Sequence, residues 1–212
     1  YDSYECRHGL GYTKIKSIYN GIQSEMTFFV PTDKDIEIWL IKLTNLSKKT
    51  RKIKAFPFIE WLLGDWGAEL HVRNLTVLMN DGKYDKNLKA ILATKFPWGN
   101  VPWPYYGFMG TSLKTEGYDI DYEDFIGRYR DYENPVVVES GRCTNSEVRG
   151  GNMVGALESS ITLRPGAAKE FSVVVGLSED KAKIKKTLDN YRNINNAKRE
   201  FERTRTIGAA RY

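Results

Sequence analysis

Cysteine and histidine are both scarce in this 212-residue chain, with only Cys6 and Cys143 of one and His8 and His71 of the other. Two cysteines cannot build a disulfide framework, and neither stands in a metal-binding spacing. Both read as reduced thiols, which predicts a cytoplasmic protein. Absent too is any apolar run near the roughly 20 residues that span a bilayer. No basic-then-apolar leader opens the chain, which begins mid-pattern without a methionine. The expectation is a soluble protein with no membrane partner. Charge of one sign is missing from most of the chain as well. The net charge is +5, yet residues 1–177 carry 22 basic and 22 acidic side chains, and the excess lies wholly beyond Ser178. A neutral body with a basic tail is not a nucleic-acid footprint.

Hydrophobic residues make up 41% of the chain, enough for one large domain with a buried core. Up to about residue 177 the apolar pattern has a period of two, with β-branched and aromatic enrichment. Ile36, Ile38, Leu40 and Lys42 fall on one face of a predicted strand, and Trp39, Ile41 and Leu43 on the other. Both faces are largely apolar, so this strand should be central and covered on both sides. Further strands are predicted over residues 23–30, 51–63, 71–79, 90–96, 105–111, 136–139, 156–163 and 170–177. Asn20-Gly21, Asn80-Asp81-Gly82 and Arg164-Pro165-Gly166 read as turns. Some nine short strands so punctuated predict a mainly β protein, an antiparallel β-sandwich.

Two stretches depart from that pattern. Residues 121–130 predict a short helix capped by Asp121. After Ser178 as N-cap, Ile184, Leu188, Tyr191, Ile194, Ala197 and Phe201 form one apolar stripe on a charged helix. The division expected is therefore a sandwich over 1–177 and a helical linker over 178–212. The stripe needs a surface, which a further domain could supply.

Few residues present themselves for chemistry. Arg7 and His8, in the dense run Tyr4-Glu5-Cys6-Arg7-His8-Gly9-Leu10-Gly11-Tyr12-Thr13, have no nucleophile or second ligand beside them. They read as an arginine paired with Glu5 or Glu25 and a histidine bonded to backbone. Asp119, Asp121, Glu123 and Asp124 cluster, but without the glycine of a calcium loop, and capping accounts for two of them. Glu60 stands alone in an apolar strand and should pair with a buried cation. No acid–base pair of the kind that cleaves glycosidic bonds can be named, and no catalytic or metal-binding residue is assigned. The stiff segment Phe96 to Tyr106 offers Trp98 and Trp103, whose faces could stack on sugar rings or simply pack the loop.

The opening run resembles the Tyr-Glu-x-Arg-His-Gly-x-x-Tyr segment in the N-terminal β-sandwich of the glycoside hydrolase family 94 phosphorylases. The likeness continues through Phe29-Val30-Pro31, Phe58-Ile59-Glu60-Trp61, Arg73-Asn74-Leu75, Asp124-Phe125-Ile126-Gly127-Arg128-Tyr129-Arg130, Gly141-Arg142-Cys143-Thr144-Asn145-Ser146 and Leu163-Arg164-Pro165-Gly166. The resemblance implies a super-sandwich of the galactose-mutarotase type and a parent enzyme cleaving β-linked oligosaccharides. Inorganic phosphate would be the co-substrate, α-sugar 1-phosphate a product, and no cofactor would be needed. It also implies homodimers, a catalytic acid on a separate (α/α)-barrel, and Arg73, with Asn74 beside it, at the sugar site. Leu70-His71-Val72-Arg73 departs from the Asn-x-Gln-Arg of cellobiose-type members, which argues against cellobiose itself. Two alternatives are a free-standing carbohydrate-binding module and a part of a larger glucan-synthesising protein.

Overall fold

The computed structural model describes residues 1–64, 66–97 and 103–210. In chain order its elements are β1 (Ser3–Gly9), β2 (Tyr12–Tyr19), β3 (Ile22–Phe29), β4 (Ile36–Asn45), β5 (Arg51–Ala55), β6 (Phe58–Glu60) and α1 (Trp66–Thr76). A 3-10 turn, Val77–Met79, leads to β7 (Asn80–Asp85), β8 (Ala90–Lys95), β9 (Tyr106–Thr111), β10 (Gly117–Asp121), α2 (Tyr122–Ile126) and α3 (Val136–Ser140). Then come β11 (Val148–Arg149), β12 (Met153–Leu163), β13 (Ala168–Ser178), α4 (Lys181–Tyr191) and α5 (Ile194–Ala210).

Two antiparallel sheets face each other, as the period-two pattern requires. The larger has nine strands in the order β1-β2-β3-β4-β13-β9-β8-β7-β11. The smaller is built on β12, which pairs with β10 and, along successive stretches, with β6 and β5. β4 is central and covered twice, as predicted. Ile41, with Trp39 and Leu43 packed around it, joins the core between the sheets, while Ile36 and Ile38 point into a second core on the other face. Val173 and Val174 of the neighbouring β13 divide the same way, because successive side chains of a strand alternate.

That second core is closed by the C-terminal helices. Ile184, Leu188, Tyr191, Ala197 and Phe201 pack on Phe29, Ile38, Ala90, Leu92, Phe108 and Val174. The apolar stripe thus lies on this chain's own sheet and not on another domain. It is also carried by two helices. The cap of α4 is Asp180, which accepts from the Ala182 N–H at 2.7 Å, while Asn193 accepts from the Asn195 N–H at 3.0 Å at the start of α5.

Three local readings are overturned. Residues 71–79 form the end of α1 and the 3-10 turn instead of a strand, with a break at Val72 (φ −134°, ψ 34°). Residues 136–139 belong to helix α3, where only Val137 is buried, against Phe125 and Ile126. Asn80-Asp81-Gly82 lies inside β7, where a Cβ on Gly82 would stand 2.5 Å from Ile120. In each case packing outweighs local propensity. Asn20 and Gly21 do make the tight turn expected of them, at φ 49° and 74°.

Candidate functional site

The segment carrying Arg73 is fastened to the turn before β12. Asn80 donates through its side-chain amide to the Gly151 carbonyl at 2.8 Å. The Gly151 N–H reaches Val77 at 2.9 Å, and the Gly150 N–H reaches Asn80 at 2.8 Å. These bonds bring the last turn of α1 beside Asn152 and the end of β6. There the Arg73 guanidinium donates to Glu60 Oε1 at 2.7 Å and to Asn152 Oδ1 at 3.4 Å.

The other oxygen of Glu60 accepts from the Tyr132 hydroxyl. Tyr132 is held in turn by its ring, which meets Phe58 edge-on at 6.0 Å and Tyr122 at 6.1 Å. Its loop is pinned by Asp131, which accepts from the Glu133 N–H at 3.0 Å, and by Arg130, which donates to the Asn134 carbonyl at 3.2 Å. The bond to Glu60 raises the Tyr132 pKa above the ordinary phenol range, with burial adding to the effect. In this contact the phenol is the hydrogen-bond donor and the Glu60 carboxylate the acceptor. Asp121 caps α2 as predicted, accepting from the N–H groups of Glu123 at 2.8 Å and Asp124 at 3.2 Å. Burial, together with the neighbouring carboxylates, raises the Asp124 pKa.

This is a polar, hydrogen-bonding surface with one carboxylate whose oxygens are both engaged. Among the described residues no group of three or more His, Cys, Asp or Glu could hold a metal ion. Glu60 does find a cation, as expected, but an accessible one: the side chains of Arg73 and Glu60 are 41% and 33% exposed. Asn74 stands exposed beside Arg73. Tyr132 and Asn152 carry no motif that marks them; only the fold brings them here.

The sequence model of the family "Glycosyl hydrolase 94, supersandwich domain" matches residues 1–194. The chain belongs to that family. Its curated relatives include the N,N'-diacetylchitobiose phosphorylase of Vibrio furnissii, 30% identical over 83% of this chain and 22% of the relative. Solabiose phosphorylase of Paenibacillus borealis is 33% identical over 84% of this chain and 23% of the relative. The chain thus spans less than a quarter of the length of these relatives. Among solved structures, a bacterial glucoamylase complexed with acarbose matches 92% of this chain and 26% of its own, with a TM-score of 0.59 at 16% identity. That likeness is one of fold.

The other candidates of this glycosyl hydrolase 94 domain fall elsewhere. Trp98 lies outside the described residues. Trp103 is half-buried against the inter-sheet core, and its ring meets Tyr105 edge-on at 5.4 Å. That placement is the one a packing role predicts. Arg7 pairs with Glu5 on the exposed edge strand β1. His8 Nδ1 lies 3.0 Å from the Thr13 hydroxyl, so its partner is a side chain across the hairpin and not backbone.

Proposed function

We propose that this chain is the non-catalytic N-terminal sandwich of an inverting β-glycoside phosphorylase. The parent protein would convert a β-linked disaccharide or oligosaccharide and inorganic phosphate to α-sugar 1-phosphate and a shortened acceptor, without a cofactor. The observation that carries this reading is the likeness over 83–84% of this chain to relatives named as phosphorylases, of which it covers less than a quarter, beside the family match over residues 1–194. Phosphate takes the place of water in an inverting mechanism, so one carboxylic acid elsewhere in the parent suffices.

Within that reading Arg73 is the sugar contact. A guanidinium carries five N–H donors, and the two bonds to Glu60 and Asn152 leave others for sugar hydroxyls. Asn74 stands exposed next to it as a second polar group. Leu70, Leu75 and Leu78 are exposed on the same segment. Apolar surface around a polar contact suits an edge covered by another subunit, in keeping with a cytoplasmic homodimer.

A second reading draws on the cyclic β-(1,2)-glucan synthase NdvB of Rhizobium meliloti. It is 25% identical over 89% of this chain, which covers only 6% of that protein. The domain could equally serve such a larger glucan-synthesising protein. The test is phosphate release by the parent protein from glucose 1-phosphate with a panel of β-linked acceptors. Release with at least one acceptor, and none from residues 1–212 alone, is expected. Turnover by the 212-residue chain would overturn the assignment, and a parent that only hydrolyses or only polymerises would transfer it to another activity.

A further inference from the structure

A cleft of about 660 Å³ opens beside α4, lined by Tyr84, Asn87, Lys89, Lys114, Thr115 and Arg192 among others. It shares no residue with the Glu60–Arg73 cluster. Its size is in the range of about 300–1,000 Å³ that holds small ligands. Lys185 and Asp189, also on its wall, pair with each other. Against that one carboxylate stand three lysines and an arginine.

Arg192 makes the floor rigid. It donates to the carbonyls of Thr111 at 3.1 Å, Leu88 at 2.8 Å and Lys89 at 2.8 Å, so one guanidinium ties β9 to the turn before β8. Its side chain is only 22% exposed, and Asp189 comes no nearer than 3.8 Å. Carbonyl oxygens satisfy its N–H groups without cancelling its charge. The turn itself is locked, because Asp85 accepts from the N–H groups of Asn87 at 3.0 Å and Leu88 at 3.1 Å. Lys89 follows in a left-handed conformation, φ 51°, uncommon for a residue with a side chain. Among the described residues neither Lys89 nor Lys114 has an ion-pair partner. Asp189 beside Arg192 and Glu116 near Lys114 offset part of this charge, and the excess that remains around the cleft is positive, which is what an anion site requires.

The remaining lining indicates what the anion is attached to. Asn87, Ser112, Thr115 and Tyr84 supply amide and hydroxyl groups, while Leu113 is the one aliphatic side chain. One face of the Tyr84 ring is taken by Tyr118, stacked at 4.5 Å and 8°. With one aliphatic side chain and one ring face left, the cleft has little apolar surface for a nucleobase, and it offers hydrogen bonds in number. We propose that it binds a small anionic sugar, a pyranose bearing a phosphate or carboxylate group. The site is independent of the phosphorolysis proposed for the parent protein.

The test is titration of the 212-residue chain at constant ionic strength, followed by calorimetry and amide NMR shifts. The probes are glucose 1-phosphate, glucuronate, glucose, inorganic phosphate and adenosine 5′-monophosphate. Saturable binding of glucose 1-phosphate or glucuronate is expected, about tenfold tighter than glucose and than phosphate alone, as one charge-assisted anchor would give. The first two probes separate a phosphate from a carboxylate ligand. The double variant Lys89→Gln/Lys114→Gln should lose about tenfold or more with an unchanged melting temperature, and Lys114→Arg should retain binding. Equal binding of adenosine monophosphate or of bare phosphate would overturn the sugar assignment. Undiminished binding by the double variant, or no binding to any probe, would overturn the site.

Discussion

Arg73 and Glu60 lie 13 residues apart in the chain, on the last turn of α1 and the end of β6, and meet at 2.7 Å on an accessible surface. An exposed ion pair of this kind adds at most about 1 kcal/mol to stability. Its value is positional: a carboxylate held from one side by Tyr132 orients a guanidinium that stays partly exposed. A separation of stability from activity follows. Arg73→Ala should change the unfolding free energy by less than about 1 kcal/mol. In the parent protein the same change should weaken acceptor use by about tenfold or more, the scale of a lost charge-assisted hydrogen bond. Unchanged acceptor kinetics would exclude Arg73 from the sugar site.

Tyr132→Phe tests the support of that pair. Removing the hydroxyl leaves the ring contacts to Phe58 and Tyr122 in place but frees one oxygen of Glu60. Acceptor KM in the parent should rise severalfold with little loss of kcat, because the substitution loosens orientation and removes no reacting group. A pure kcat effect would contradict a positioning role.

The helical stripe is part of the fold. Leu188 is fully buried in the second core, beneath the C-terminal helices, and Leu188→Ala should cost about 2–5 kcal/mol, measured by urea unfolding. A cost below about 1 kcal/mol would mean that α4 is only loosely attached.

Asp33 gives a pH signature. Hydrogen bonds from Arg203 and Lys34 hold its pKa at about 2, against roughly 3.9 in an unfolded chain. Because the folded value is the lower one, its contribution is present above about pH 4 and disappears as pH falls to 2. Asp33→Asn should therefore narrow the loss of stability between pH 4 and 2, and high salt should shrink the difference, since the carboxylate is open to solvent. Identical acid profiles for the two proteins would rule the pair out as a stabilising contact.

The two thiols should separate cleanly. Cys6 is exposed and Cys143 buried, with burial and the nearby Asp119 pushing the Cys143 thiol far above its ordinary range. A thiol reagent at pH 8 should label one cysteine in the native chain and two in denaturant. Fast labelling of both in the native state would show that the region around α3 opens.

Which parts were legible follows from the range of the forces involved. Period two along β4 announced a strand covered on both faces, and spacing of three and four announced the stripe of Ile184 to Phe201. Asn20-Gly21 and the cap at Asp121 are equally local. The errors occurred where local preference and packing disagree. Val136-Val137-Val138 reads as β, yet a single helical turn lets Val137 alone enter the core beside Phe125. Residues 71–79 read as a strand, but among the described residues no strand pairs with them, and the chain closes its own backbone bonds in α1 and the 3-10 turn. Gly82 looked like a turn residue and is instead the gap that admits Ile120.

By itself the sequence determined the mainly β class, the central strand, the tight turns, the neutral body and the family, because each rests on neighbouring residues or on an ordered series of motifs. Tertiary structure alone decided the rest. It placed the helical stripe on the chain's own sheet, joined Glu60 to Arg73, Tyr132 and Asn152, and gathered Lys89, Lys114 and Arg192 around one cleft. Those partners lie from 13 to 103 residues apart along the chain, and no local pattern encodes a meeting that depends on how two sheets and two helices are packed.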